Sequence, residues 1–348
     1  MELTREQKKA TVRDAWLCRN DTVPYIVEHG GFHASTTEFH DDDQRELVWA
    51  HRYHERLAPV QDYNIPNIKP NVGIGLIAAA FGCSQTPNDE GDPWIRPLIT
   101  ADNVDDAFAI EAPDVTKNPV FERAYQRLEF LQENSSYPLR LANIASPLVA
   151  ASQLWEYTSF IESMILAPDA VHHVLERVTD TIIGFAREQI RRIHDLYTMG
   201  HEPWHIPPDV GLRISDDTAA VMSPATCEEF GTAYNARISE AFGGLVWHSC
   251  GGVESILPVI LETPGLRGID IVATQNDWSR IRETMRGRQV GMSLRYNFWD
   301  FPNPKEIDQL AYSKELVEFF GTEGVLLLTS TPTIDETIRL AAALDEAL

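Results

Sequence analysis

Three places in this 348-residue chain carry residue types that could do chemistry together. His248 and Cys250 stand one residue apart in LVWHSCGG. At a strand end their side chains point the same way, and an imidazole beside a thiolate makes half a zinc site. The same pair also suits packing or hydrogen bonding at a glycine turn, and spacing alone leaves both readings open. Asp216 and Asp217 are adjacent, so only one can face a ligand from a strand end. That one could be a general acid or base, an anchor or a metal ligand, and the other would cap the following turn. Arg213 and Arg295 are candidates to pair a substrate carboxylate. The segment 294–300, LRYNFWD, adds Tyr296, Asn297 and Trp299, aromatic and polar together, which suits the wall of a ligand site.

Other patterns are weaker. Residues 201–205, HEPWH, match the zinc-protease spacing H-E-x-x-H, which works only on a helix. Pro203 lies inside it and Pro207 and Pro208 follow, so a loop entering a strand is expected instead. His29, His33, His40, His51 and His54 crowd the N-terminal region, but their spacings fit no ligand template, and hydrogen-bonded histidines are the plainer account. Gly73-Ile74-Gly75 lacks the third glycine of a dinucleotide fingerprint.

Elements able to position these groups are visible in the apolar patterning. Segments 139–144, 210–214, 244–248, 266–271, 289–294 and 324–328 read as strands. Between them 155–164, 170–197, 224–242, 253–261, 278–286 and 304–320 carry apolar residues at helical spacing. Ser223-Pro224 and Asn303-Pro304 each place a capping residue before a proline at the first helical position. Buried strands alternating with crossover helices predict a parallel sheet, and this many units predict a (β/α)₈ TIM-type barrel. The barrel is expected over 61–348, with 1–60 an N-terminal helical extension packed on it and a helix near 44–56. In such a barrel the residues just after each strand carry the chemistry, which is where the acid pair and the His-x-Cys pair fall.

Composition narrows the partners. The formal charge is −23, from 29 basic and 52 acidic residues. Such a surface repels nucleic acid and anionic membranes, and a polyanionic substrate would need a local cluster of Arg or Lys in its cleft. The N-terminus MELTREQKKA is no secretory signal. The longest nearly apolar run, 73–83, is well short of the roughly 20 residues of a membrane span. Cys18, Cys83, Cys227 and Cys250 are too few and scattered for a disulfide framework, so a cytoplasmic setting is expected.

The segments 65–83 (IPNIKPNVGIGLIAAAFGC), 215–230 (SDDTAAVMSPATCEEF), 245–258 (LVWHSCGGVESILP) and 326–334 (LLLTSTPTI) resemble the uroporphyrinogen decarboxylase superfamily. His-Ser-Cys-Gly is similar to the zinc motif of its methylcobamide:coenzyme M methyltransferase-like branch. The decarboxylase set is replaced. Its Asp falls near Asn64, its Tyr near Gln153, its Ser on Asp217 and its C-terminal His near Pro332, and the Arg-rich segment is lacking. The resemblance implies zinc on His248 and Cys250, with the branch's second cysteine expected at 331–333, where there is none. Asp217 or Cys83 is left to complete the shell. It further implies a thiol acceptor, a corrinoid on a partner protein and a homodimer. The alternatives are a metal-free decarboxylase or lyase acting on a small carboxylic acid or tetrapyrrole-like substrate through Asp217 and an arginine, and a barrel that binds without catalysis.

Overall fold

The computed structural model describes residues 3–30, 42–86, 88, 93–303 and 307–348. Six strands form the main sheet, namely β1 (Tyr25–His29), β2 (Leu212–Ser215), β3 (Leu245–Ser249), β4 (Leu266–Val272), β5 (Gly291–Asn297) and β6 (Val325–Thr331). Their order is β1-β6-β5-β4-β3-β2, and every pairing is parallel. Parallel neighbours require crossovers, and the helices Ala233–Phe242, Leu257–Ile260, Trp278–Met285 and Gln309–Phe320 lie in the four crossovers from β2 to β6. A short parallel pair, Leu139–Arg140 with Leu196–Thr198, carries the curl further. Isolated parallel bridges join Ala145 to Ser215 and Ile68 to Leu139. The architecture is an α/β fold around a curled parallel sheet, with regular strands over six positions and short pieces beyond them.

Parallel strands covered on both faces need apolar runs rather than alternation. LVWHS in β3 and VLLLTST in β6 are buried at every position. The polar members of those runs are therefore buried polar groups that need partners. Two strands begin where backbones crowd. A Cβ on Gly211 would stand 2.0 Å from the Gly244 carbonyl carbon, and Gly211 has φ +110°. Only glycine meets both demands, so β2 and β3 are held close just below the site.

Helix starts follow local chemistry. Ser223 Oγ accepts from Thr226 N at 3.1 Å with Pro224 at the first helical position. Ser223→Ala should cost about 1 kcal/mol in urea unfolding while leaving ligand binding unchanged. The helix expected over 304–320 begins later. Pro304 lies outside the described residues, and Asp308 is the cap of Gln309–Phe320. The helix expected near 44–56 spans Asp43–Leu57.

The first sixty residues contribute more than a packed extension. β1 pairs with β6 and so belongs to the sheet. Its apolar core, Tyr25-Ile26-Val27, was obscured by the polar, histidine-rich stretch around it. His54 is buried, with Nε2 2.7 Å from the Asn67 carbonyl; His33 and His40 lie outside the described residues. No helix among the described residues is long and apolar enough to cross a membrane.

Candidate active site

Strand pairing aligns a polar row. Ser215 stands opposite His248, His248 opposite Asp270 and Asp270 opposite Ser293. At its centre Asp270, fully buried, takes three groups on one oxygen. Its Oδ2 accepts from Arg213 Nη2 at 2.7 Å and Arg295 Nη2 at 3.3 Å, and lies 3.1 Å from His248 Nδ1. Arg295 Nη2 also donates to Glu202 at 3.0 Å, and Arg213 Nη1 donates to Ser215 Oγ at 3.2 Å. Burial alone would raise the Asp270 pKa, but Arg295, His248 and Arg213 together hold the carboxyl well below the usual carboxylate range. Glu202 behaves alike, burial being outweighed by Arg295 and Arg213. Paired in this way, the buried charges do not strand one another.

One step further out three possible metal donors converge. A carboxylate oxygen of Asp217, a ring nitrogen of His248 and the sulfur of Cys250 all lie within 4.8 Å of one another. Asp217 sits just past the end of β2, His248 on β3 and Cys250 just past its end, so neighbouring strands bring them together. Asp217 Oδ1 accepts from the Cys250 backbone N–H at 2.6 Å, which fixes the acid against the turn. His248 Nδ1 faces two acceptors, the Asp270 carbonyl at 2.9 Å and its carboxylate at 3.1 Å. Nδ1 must then carry the proton, and the lone pair on Nε2 points to Cys250 Sγ at 3.2 Å. Desolvation around the sulfur and the Asp217 charge push the Cys250 thiol up to about 12. A cation seated there would reverse that bias.

Beside this triad lies a cleft of about 390 Å³. None of the three donors lines it, but Arg295 does, and Arg295 shares Asp270 with His248. Asn297 and Trp299 also line it. Tyr296 does not. Strand alternation turns it outward, where its hydroxyl donates to the Gln309 carbonyl at 2.9 Å and meets Ser313 Oγ at 2.6 Å. Asn64 lies away from the cleft, its carbonyl accepting from Lys8. Gln153 is also absent from the lining, its carbonyl facing the buried Cys83 thiol. Cys83 takes no part in the donor cluster, so Asp217 is the third donor near His248 and Cys250. At 331–333, Thr331 bonds Thr337 and Thr333 caps the last helix, so no donor comes from there.

The two aspartates separate cleanly. Asp216 is fully buried and accepts from Ser146 Oγ at 2.6 Å, Trp247 Nε1 at 2.8 Å and Asn235 Nδ2 at 3.0 Å. It has no open approach and pins three elements together. Asp217 is exposed beside the thiol. Arg213 likewise has no exposed surface, so of the two arginines expected to meet a ligand only Arg295 reaches the cleft.

Sequence reasoning passed over Asp270, Lys69, Arg140 and Asn143, and set His201 and Glu202 aside with the rejected zinc-protease motif. Asp270 had a signal, being a lone acid in the apolar strand LRGIDIV. His201 and Glu202 stand in a bend rather than a helix, as the prolines require, yet both line the cleft.

A uroporphyrinogen decarboxylase family model matches residues 55–200. The match covers less than half of the chain and likens that segment to the uroporphyrinogen decarboxylase family. A methyltransferase from Methanosarcina mazei is similar in fold, with TM-score 0.69 and 17% identity over 97% of this chain and 98% of its own. A protein described as a vitamin-B12-independent methionine synthase from Listeria monocytogenes has TM-score 0.50 and 12% identity, over 94% and 97% of the two chains. No curated protein matches the sequence. These two likenesses show a shared fold.

Proposed function

We propose that this protein is a zinc-assisted methyltransferase, with Asp217, His248 and Cys250 as its metal ligands. The observation that carries the reading is their convergence within 4.8 Å, with the remaining ring nitrogen of His248 engaged by Asp270. Ligating histidines characteristically give their other N–H to a carboxylate or carbonyl, and His248 has both. One neutral imidazole with a carboxylate and a thiolate balances a dication, and three protein donors leave a position open, as in catalytic zinc sites. With zinc bound, these three residues would present a Lewis acid able to lower the pKa of a thiol acceptor. The chain's own part is to hold the donors. The Asp270 contact fixes the His248 tautomer, and the Cys250 N–H holds the Asp217 carboxylate in place. The superfamily's branch suggests a corrinoid on a partner protein as methyl source, a barrel closed through the short strand pieces and a homodimer. A metal-free lyase is the competing reading, favoured by basic side chains on the cleft wall, Arg295 among them.

Metal analysis by mass spectrometry on untagged protein separates the two. Near-stoichiometric zinc is expected in the wild type, with at least a roughly tenfold lower content in Cys250→Ala after dialysis. Zinc-free wild type, purified without chelator and still zinc-free after reconstitution, sinks the methyltransferase reading and leaves Arg295 and the lyase.

A further inference from the structure

Buried polar atoms without partners gather on one surface. Among the described residues, six that line the cleft carry a buried side-chain atom with no hydrogen-bond partner, namely Glu46, His54, Asn67, Arg140, Asn143 and Arg295. Folded proteins leave few such groups, so a cluster in a cavity marks a place for a polar ligand. Arg140 is the most informative. It ends the short strand Leu139–Arg140, its buried Nε has no acceptor, and no carboxylate among the described residues pairs with it. The other arginine of the cleft is committed to Glu202 and Asp270. A half-buried guanidinium without a counter-ion, in a chain of net charge −23, is costly unless an anion visits it. Part of the lining is flat and aromatic. Trp49 and Tyr53 stack at 5.3 Å and 7°, and Trp299 is 47% exposed.

We infer that this cleft binds a small carboxylic acid with a flat apolar body, its carboxylate paired with Arg140 and its body against Trp49 and Tyr53. A planar guanidinium meets a carboxylate through two parallel N–H···O bonds, and Arg140 lines the cavity with its charge unmatched by any carboxylate among the described residues. Lys69 lines the same cleft and adds positive charge. Glu28, Glu46 and Glu202 line it too. Among the described residues, three basic against three acidic side chains leave the lining near neutral, which suits a single carboxylate and disfavours a polycarboxylate. The inference rests on the proposed function only in taking this end of the sheet as the active end; the site stands on its own atoms.

Benzoate serves as the probe and benzamide as its neutral isostere, with tryptophan fluorescence as readout because Trp49 and Trp299 line the cavity. Saturable benzoate binding is expected, with benzamide at least about tenfold weaker, as loss of a charge-assisted pair implies. Arg140→Gln should weaken benzoate by at least about tenfold and leave benzamide unchanged. Asn143→Asp, nearly isosteric, sets a further negative charge in the cavity and should weaken benzoate alone, which covers the case of an Arg140 variant that does not fold. Equal affinity for the two probes, no benzoate binding, or full binding in both variants overturns the inference. Benzoate binding measured in Cys250→Ala keeps this apart from the metal. Retained binding there supports the carboxylate site whatever the zinc content, and its loss overturns a site independent of the triad.

Discussion

Asp270→Asn should be among the most damaging single substitutions in this chain. Its carboxylate is the shared anion of two arginines and of His248. An asparagine of the same shape keeps one acceptor oxygen but removes the charge, leaving Arg213 with no exposed surface and no counter-ion. Removing one partner of a buried pair typically costs about 3–5 kcal/mol. The same change loosens His248 and should weaken zinc by about 10–100-fold. Urea unfolding reads the first effect and a competitive chelator titration the second. A variant within about 1 kcal/mol of wild type, well under the cost of a broken buried pair, would show that Asp270 is not the node on which the polar row depends.

This residue also sets the acid limb of stability. A carboxyl held well below its ordinary range binds protons more readily in the unfolded chain than in the folded one. Its contribution is then complete above about pH 4, the unfolded value, and is lost as pH falls below it. Stability between about pH 4 and pH 2 should therefore fall less steeply in Asp270→Asn than in wild type.

Much of this was legible in the sequence because it is periodic or local. Five of the six strands in the main sheet announce themselves as apolar runs, and Ser223-Pro224 caps its helix as capping chemistry requires. His248 and Cys250 were legible because one residue of separation at a strand end fixes their relative direction. β1 was missed since a five-residue run beside histidines looks like surface. The orientation of Tyr296 could be known only once the phase of β5 was fixed, because a strand residue and its neighbour face opposite sides. Asp270 left a local trace as a lone acid in an apolar strand, but its partners are distant in sequence, and Arg140 acts through the absence of a partner, which no local pattern records.

The neighbouring acids Asp216 and Asp217 give the sharpest separation of structure from function. Asp216 receives a hydroxyl, an indole N–H and a side-chain amide, all buried. An asparagine in its place could accept from some of these, but its own NH₂ would face donors. Asp216→Asn should therefore cost about 3 kcal/mol, the price of leaving buried donors unpaired beside a lost charge. Its pH signature is opposite to that of Asp270. Burial raises its pKa, against the pull of Ser146, Trp247 and Asn235. A carboxyl with a raised native pKa binds its proton more tightly when folded, so its contribution falls as pH rises from about 4 towards that native value. Asp217→Asn touches an exposed side chain and should unfold within about 0.5 kcal/mol of wild type. It nevertheless removes one of three metal donors, so zinc should be lost by at least about tenfold, as when a ligand's support is removed. Two substitutions one residue apart would then divide cleanly, the first read in urea and the second in metal content. If Asp217→Asn kept full zinc while Asp216→Asn lost it in a folded protein, the buried acid would be the ligand and the site would have to open to reach it.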